Sequence, residues 1–454
     1  MNHDSLNEPD RSDISKSITG KYNLAFFIIS VAILLSLLFH FLPINRFRNS
    51  LDRTKKIYYA DNITPAHRKI IDRFNQKYKG KIEVVPVELP FSKFNTNERK
   101  ELIARTLRNR NSRIDIFAVD QIWVYRFAKW AEPLSRYFSS KERSQILEPA
   151  LHTCYYNNIL VGIPLHIDIG ALFYRRDILQ RMPDFTQLEQ RLQESISWDE
   201  FIQLNNRISS SSPFFVFQGD SYEGLICNFL EILGKREKAI IENDTLRLTQ
   251  PEVIQGCQMM IDLIYKHSLT PRIVTTFNES ASYEYALNND VPFFRGWPTF
   301  LHEINSYPEN KRRNASLGIA PLPHSAGKSP ASVFGGWNLM ISKHSAEKDE
   351  AVLFLKYVLS EEAQKILLRT SGFLPVLKSS YEDQSLISEN KQLLVFKQLL
   401  DNGIHRPMHP NYTKMSDILS MQIHKALNGE ISAEQALTLA EEMIRTNNLI
   451  ESVE

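Results

Sequence analysis

"KKIYYADNITPAHRKIIDRFNQKYKGKIEVVPVEL", residues 55–89, decides the fold of this chain. "KKIYYAD" at 55–61 is a short apolar and aromatic run that ends on an acid, the pattern of a strand. Pro65 then opens a helix that runs toward Tyr78, because a first-turn N–H has no helical partner to lose. "KIEVVPVEL" at 81–89 is a second strand. A further helix is predicted over about 97–109, and "RIDIFAVD" at 113–120 is a buried strand. Strand, helix, strand, helix, strand in that order predicts a mostly parallel sheet with covering helices.

Beyond this core the chain is more helical. "FQGDSYEGLICNFLEILG" at 217–234 places Tyr222, Leu225, Ile226, Phe229 and Leu233 on one helical face, with Gly234 at its end. Ser345 and Ser360 can each cap a helix, the second ending near Gly372 with Pro375 beyond. Ser432 and Gln435 form a capping-box pattern before a last helix that carries Ala436, Ala440, Met443 and Ile444.

A chain of 454 residues, 43% hydrophobic and 23% charged, is too long for one small core and predicts two lobes. A net charge of +2 leaves no basic excess to neutralise phosphates, so nucleic acid is excluded as a partner. Cys154, Cys227 and Cys257 are far apart and in no CxxC pattern, which suits buried free thiols and supports no zinc site. No phosphate-cradling glycine loop, HExxH or G-x-S-x-G is present, so no cofactor, metal or catalytic residue is expected.

The other global signal is "LAFFIISVAILLSLLFHFL" at 24–42, with His40 its one ionisable residue, long enough for a bilayer core. It ends without an A-x-A cleavage site or a nearby cysteine for lipid, so it is expected to stay as a single-pass anchor. Residues 1–23 are expected to be disordered, 43–54 a basic linker, and 55–454 the two-lobed part. Arg46, Arg48, Arg53, Lys55 and Lys56 follow the run, against Arg11, Lys16 and Lys21 before it. Basic residues alone would place the large part in the cytoplasm. The functional residues favour the outside, and large domains translocate despite nearby charge.

Those residues are aromatic rings and acids in loop-like contexts. Asp120 closes a strand just before a helical turn, at the carboxyl end where open α/β sheets bind ligands, and it can also serve as an N-cap. Asp168 in "GIPLHIDIG" can accept two hydroxyls at once, with His166 on the same side if the segment is extended. Glu223 fits a D-x-x-E capping box with Asp220, while Tyr222 can stack on or hydrogen-bond to a ligand. Gly224 costs a helix roughly 1 kcal/mol, which close approach by another group would explain. Trp297 ("RGWP") and Trp337 ("GGW") stand beside glycines, where a bulky ring can project from a sheet edge. Indoles bind the C–H faces of pyranoses while acids and guanidinium groups such as Arg295 and Arg406 bind hydroxyls. Asp120 and Asp168 as a glycosidase acid pair is the weaker alternative.

Four stretches in order carry a family resemblance: "IDIFAVDQIWVYRFAKWAEPLSRYF", "GIPLHIDIGALFYRRDIL", "FVFQGDSYEGLICNFLEIL", and "FFRGWP" followed by "FGGWNLMISKHSAEKDEAVLFLKYVLSEEAQKILL". Nearly everything after residue 55 resembles the family 1 extracellular solute-binding proteins of ABC transporters, closest to their maltose/trehalose-type branch. The resemblance implies a two-lobed periplasmic-binding-protein-like fold with a hinge and an interlobe cleft. It implies a sugar ligand, a permease with a separate ATPase as partners, and a binding domain in the periplasm or cell exterior. It places Asp120, Asp168, Trp297, Trp337 and Arg406 where ligand contacts are expected, with Tyr222 and Glu223 in the matching cleft loop. A membrane-tethered sugar sensor is the other alternative.

Overall fold

The computed structural model describes residues 27–34, 36, 54–90, 96–109, 113–208, 213–234, 240–242, 245–305 and 316–446. The segment 1–23 and, apart from Thr54, the linker 43–54 lie outside the described residues. Of the expected anchor 24–42, residues 27–34 and 36 are described, and they are helical and exposed; the rest lies outside. Among the described residues no helix is long and apolar enough to cross a membrane.

The decisive stretch folds as β1 (Lys55–Asp61), α1 (Pro65–Lys77) and β2 (Ile82–Glu88), then α2 (Thr96–Arg108) and β3 (Ile116–Asp120). Thr64 caps α1 by accepting from the His67 N–H, and Pro65 occupies the first turn as its missing donor allows. Later strands are β4 (Ile163–Ile169), β5 (Ala171–Arg175), β6 (Phe215–Val216), β7 (Phe293–Gly296), β8 (Leu317–Ala320), β9 (Ser332–Ile341) and β10 (Gly403–Ile404). Later helices used below are α3 (Glu223–Leu233), α4 (Pro251–Tyr265), α5 (Glu279–Asn288), α6 (Lys348–Val358), α7 (Glu361–Ser371), α8 (Tyr412–Leu427) and α9 (Ala433–Thr446).

Each of two lobes is built on one sheet. The first sheet runs β10-β9-β3-β1-β2, with β4 also paired to β9; the second runs β8-β5-β7-β6. β1 and β3 are parallel as expected, but β9 is antiparallel to both β3 and β4. β5 likewise runs against both of its neighbours. The expected mostly parallel sheet is therefore a mixed one. β9 returns into the first sheet after the chain has built the second, a long-range pairing that local periodicity does not encode.

Period-2 alternation along β3 sends Ile116 and Ala118 into one apolar layer with Tyr59, Phe74, Phe354 and Leu367. Phe117 and Val119 enter the opposite layer with Trp123, Phe127 and Met340. Both faces of the sheet are thus covered, which is why β3 reads as a continuous apolar run. The second lobe packs Phe173, Phe293 and Phe294 against Leu225 and Phe229 of α3 and Met260 of α4. Each such side chain, buried fully, contributes about 1.5–3 kcal/mol.

Several local readings hold. Ser360 caps α7, which ends at Gly372 in the left-handed region, and Ser432 and Gln435 exchange both capping-box hydrogen bonds. Ser345 does not cap α6, whose N-cap is Glu347; its hydroxyl instead donates to Asp115 and accepts from the Glu347 N–H. The three cysteines are buried and form no disulfide.

The chain passes from the first sheet to the second at Gly170, and returns between β8 and β9. The Gly170 N–H donates to the Val333 carbonyl at 3.2 Å, so the two passages touch. The Val333 N–H donates to Glu231 Oε1, also at 3.2 Å. A Cβ on Gly170 would come within 2.0 Å of that same oxygen. Only glycine leaves room for the buried Glu231 carboxylate there.

Candidate ligand-binding site

Two groups of side chains gather where the sheets meet. In the first, Asp120 closes β3 and accepts from the Ile122 N–H at 3.1 Å, the cap expected of it. The same Oδ1 accepts from Arg406 Nη2 at 2.7 Å, so the capping and site roles coexist. Arg406 Nη1 donates to Glu223 Oε1 at 3.0 Å. The loop after β10 thus presents Arg406 between the two acids, just before Pro407. Burial opposes its charge, but Asp120 and Glu223 beside it keep Arg406 well above its ordinary value.

Glu223 does not form the D-x-x-E capping box with Asp220. The N-cap of α3 is Tyr222, whose side chain makes no capping bond, and Asp220 instead accepts from the Ser221 N–H. The Glu223 carboxylate turns toward α8, where Tyr412 Oη donates to it at 2.9 Å and Ser416 Oγ also donates. Tyr412 and Ser416 were not among the expected site residues, and hydroxyls on a buried helix face shared with Met415, Leu419 and Ile423 give no sequence signal of their own. The Tyr222 ring folds back over Gly224, where a Cβ would lie 2.2 Å from the Tyr222 hydroxyl. That contact is the close approach the glycine suggested. Burial, and then the Glu279 carboxylate of α5, hold the Tyr222 hydroxyl well above its ordinary pKa.

The second group surrounds the two indoles. Trp337 lies inside β9, paired with Asp120 on one side and His166 on the other, at a bulge between Trp337 and Asn338. It therefore projects from the middle of a sheet and not from an edge. Bulges re-aim side chains, and Gly336 beside it takes φ 128°. Trp123 meets it edge to face at 5.7 Å. The Arg99 guanidinium, itself fully buried, lies 4.4 Å from its ring centre.

Trp297 follows β7, and its N–H donates to Tyr283 Oη at 2.9 Å. The Arg295 guanidinium lies 3.7 Å from its ring centre. Arg295 is not the expected hydroxyl donor at the surface of the site. It is 0% exposed and makes two bonds to Glu231, at 2.8 and 3.0 Å, and one to Gln218 at 3.3 Å. Arg406, the other expected donor, is likewise held by two acids. The ring of Trp297 reaches Gly335 of β9, where a Cβ would stand 3.0 Å from both its Cζ3 and the Cβ of Asp168. Indole and acid are thus brought side by side across the two sheets.

Asp168 and His166 share one side of β4, as period 2 requires, with His166 Nδ1 3.4 Å from Asp168 Oδ2. Asp168 Oδ1 is buried and has no hydrogen-bond partner among the described residues. His166 is buried and stacks on Phe373 with ring centres 4.2 Å apart. His67 meets the same Phe373 ring edge-on at 5.6 Å. Behind them Asp61 accepts from Tyr59 Oη at 2.5 Å and Arg99 Nη2 at 3.0 Å, with His67 Nε2 at 3.5 Å. Burial, only partly offset by Asp61, lowers His67 to about 4.

This arrangement offers flat apolar rings beside an unsatisfied carboxylate oxygen, the groups that hold a polyhydroxylated ring by its faces and its rim. The model of a family described as bacterial extracellular solute-binding protein matches residues 60–365. The chain belongs to that family.

Two relatives and one solved structure locate this solute-binding protein further. It is 25% identical over 357 residues to a probable ABC transporter-binding protein of Deinococcus radiodurans, spanning 76% of this chain and 83% of the relative. It is 21% identical over 379 residues to an arabinooligosaccharide-binding protein of Bacillus subtilis, 78% of this chain and 82% of the relative. Its fold superposes on maltose-bound MalE3 of T. maritima with a TM-score of 0.76 and 27% identity, covering 87% of this chain and 100% of that one. The two-lobed α/β periplasmic-binding-protein fold expected from the sequence is therefore the fold of this solute-binding protein.

Proposed function

We propose that this solute-binding protein is the substrate-binding subunit of an ABC importer and that it captures a neutral sugar or oligosaccharide between its lobes. The observation that carries the reading is the pair of indoles, Trp337 from the first lobe and Trp297 from the second. Trp297 reaches Gly335 opposite Asp168, Trp337 stands opposite His166 on the same strand pair, and Asp168 Oδ1 is buried with no hydrogen-bond partner among the described residues. A hydroxyl-rich ligand would supply the missing donor and stack on the rings. The maltose and arabino-oligosaccharide named for similar proteins support the same ligand class. Asp120, His166, Tyr222, Glu223, Arg295 and Arg406 complete the proposed site, Arg295 from beneath.

In this reading the ligand is bound without chemical change and handed to a permease driven by a separate ATPase. Residues 55–454 are the two-lobed binding part outside the cytoplasm, and 24–42 tether it to the cell membrane, raising its effective concentration at the permease. The test is thermal unfolding of the full-length chain with a panel of sugars. A ligand at 100 times its dissociation constant adds about 2.7 kcal/mol. A shift with sugars supports the reading. Shifts with amino acids, polyamines or anions alone overturn the ligand class. Protease accessibility of the large part in intact spheroplasts tests the topology; protection there would overturn the exterior placement.

A further inference from the structure

Each indole of the candidate site is backed by an arginine, and each arginine is held by a buried carboxylate. Arg99 lies 4.4 Å from the ring centre of Trp337 and donates to Asp61 at 3.0 Å. Arg295 lies 3.7 Å from the ring centre of Trp297 and is held by Glu231 through two bonds, at 2.8 and 3.0 Å. Both arginines are 0% exposed. The four residues come from unrelated places in the chain: α2 and β1 for one pair, β7 and α3 for the other. The same construction thus occurs once in each lobe.

We infer that Arg99 and Arg295 are positioning residues that hold the two indoles as preset stacking platforms; the inference rests on the sugar-binding reading above. A guanidinium is planar and weakly hydrated, so it can lie flat on a ring, while its fork is locked edge-on by a carboxylate. A ring covered in this way has lost one face and most of its rotamer freedom before ligand arrives. The ordering that stacking would otherwise cost is already present in the empty protein, which is how preorganisation raises affinity. Desolvation strengthens the attraction between cation and ring, and both cations here are buried. The ionic partner keeps the charge neutralised, so a neutral ligand meets a platform and not a net positive charge.

Arg295→Lys tests this, because lysine keeps a charge opposite Glu231 but has no flat group to cover the indole. The readouts are tryptophan emission and near-ultraviolet circular dichroism of the full-length, ligand-free chain, and stopped-flow release of maltose as the probe sugar. The expected result is a changed Trp spectrum and maltose release faster by about tenfold, the factor equivalent to losing one such stacked contact. The same substitution made on Trp297→Phe should change the remaining spectrum no further. Arg99→Lys read against Trp337→Phe should behave alike. A wild-type spectrum in Arg295→Lys, or an equal change on both backgrounds, overturns the inference. If Arg295→Lys does not fold, Glu231→Gln, which keeps Arg295 and weakens its anchor, is read by the same comparison. Should the wild type bind neither maltose nor any other sugar, the sugar-binding reading fails while the spectra still decide the positioning role.

Discussion

The two Trp platforms are alike in plan and unlike in anchoring. Behind Trp297, Arg295 is fixed by a bidentate carboxylate and by Gln218, and the Glu231 partner also ties down the Val333 N–H at the passage between lobes. Behind Trp337, Arg99 makes one bond to Asp61, and that carboxylate is shared with Tyr59 and faces His67. Nearby acids outweigh burial for Arg295, whose pKa is raised, whereas burial wins for Arg99, whose pKa is lowered. The second-lobe platform is therefore bolted to the backbone, and the first-lobe platform rests on a network that includes a titratable ring.

The sharpest way to break this comparison is to remove the carboxylates. Glu231→Ala leaves a buried guanidinium uncompensated and is expected to cost about 3–5 kcal/mol of stability. Asp61→Ala, which removes a single bond to its arginine, is expected to cost less. Urea denaturation of both variants measures the difference; equal losses would mean the anchors are equivalent.

Acid should separate the platforms next. His67, near 4 in the folded chain against about 6.5 unfolded, is neutral in the fold. Between those values the unfolded chain binds the extra proton, so stability is full above about pH 6.5 and falls as pH drops toward 4. The loss reaches at most about 3 kcal/mol. His67→Gln should flatten that slope, as measured by urea midpoints at pH 7 and pH 4.5. Arg295 contacts Glu231, Gln218 and Trp297 and no histidine among the described residues, so the Arg295 side contributes no slope of this histidine origin.

Smaller effects are expected on binding. Trp337→Ala and Trp297→Ala should each weaken sugar binding at least about tenfold, roughly 1.4 kcal/mol, while leaving the chain folded. Isothermal titration reads both, and an unchanged affinity removes that indole from the site. Gly335→Ala sits between the two platforms, where its Cβ would press on Trp297 and Asp168. Its cost in binding should be roughly 1 kcal/mol, the low end of overpacking.

What could be read from sequence was local. β1 to β3, the start of α1 at Pro65, the capping of α7, and the end of α3 at Gly234 follow from periodicity and turn chemistry within a few residues. Trp337, read as projecting from a sheet edge, lies mid-sheet. The places of Asp120 at the end of β3 and of Trp297 after Gly296 were legible because an acid ending a strand and an indole beside glycine are unusual. The antiparallel return of β9 was not, since its partners are more than a hundred residues away. Arg99 and Glu231 were missed, although each left a trace. Arg99 is one helical turn before Ile103 on the stripe that continues to Leu107, and Glu231 sits in the apolar run from Leu225 to Leu233. A charge on the buried face of a helix implies a partner, but sequence alone does not say that the partner stands behind a ligand platform.

Gly170 ties the crossing between the two sheets to the support behind Trp297. A Cβ there would come within 2.0 Å of Glu231 Oε1 and 2.8 Å of Arg295 Nη2, so any side chain would push on both halves of that ion pair. The same carboxylate receives the Val333 N–H where the chain returns to the first sheet. How the chain crosses between its sheets and how it holds one of its rings are thus written at a single address in its sequence.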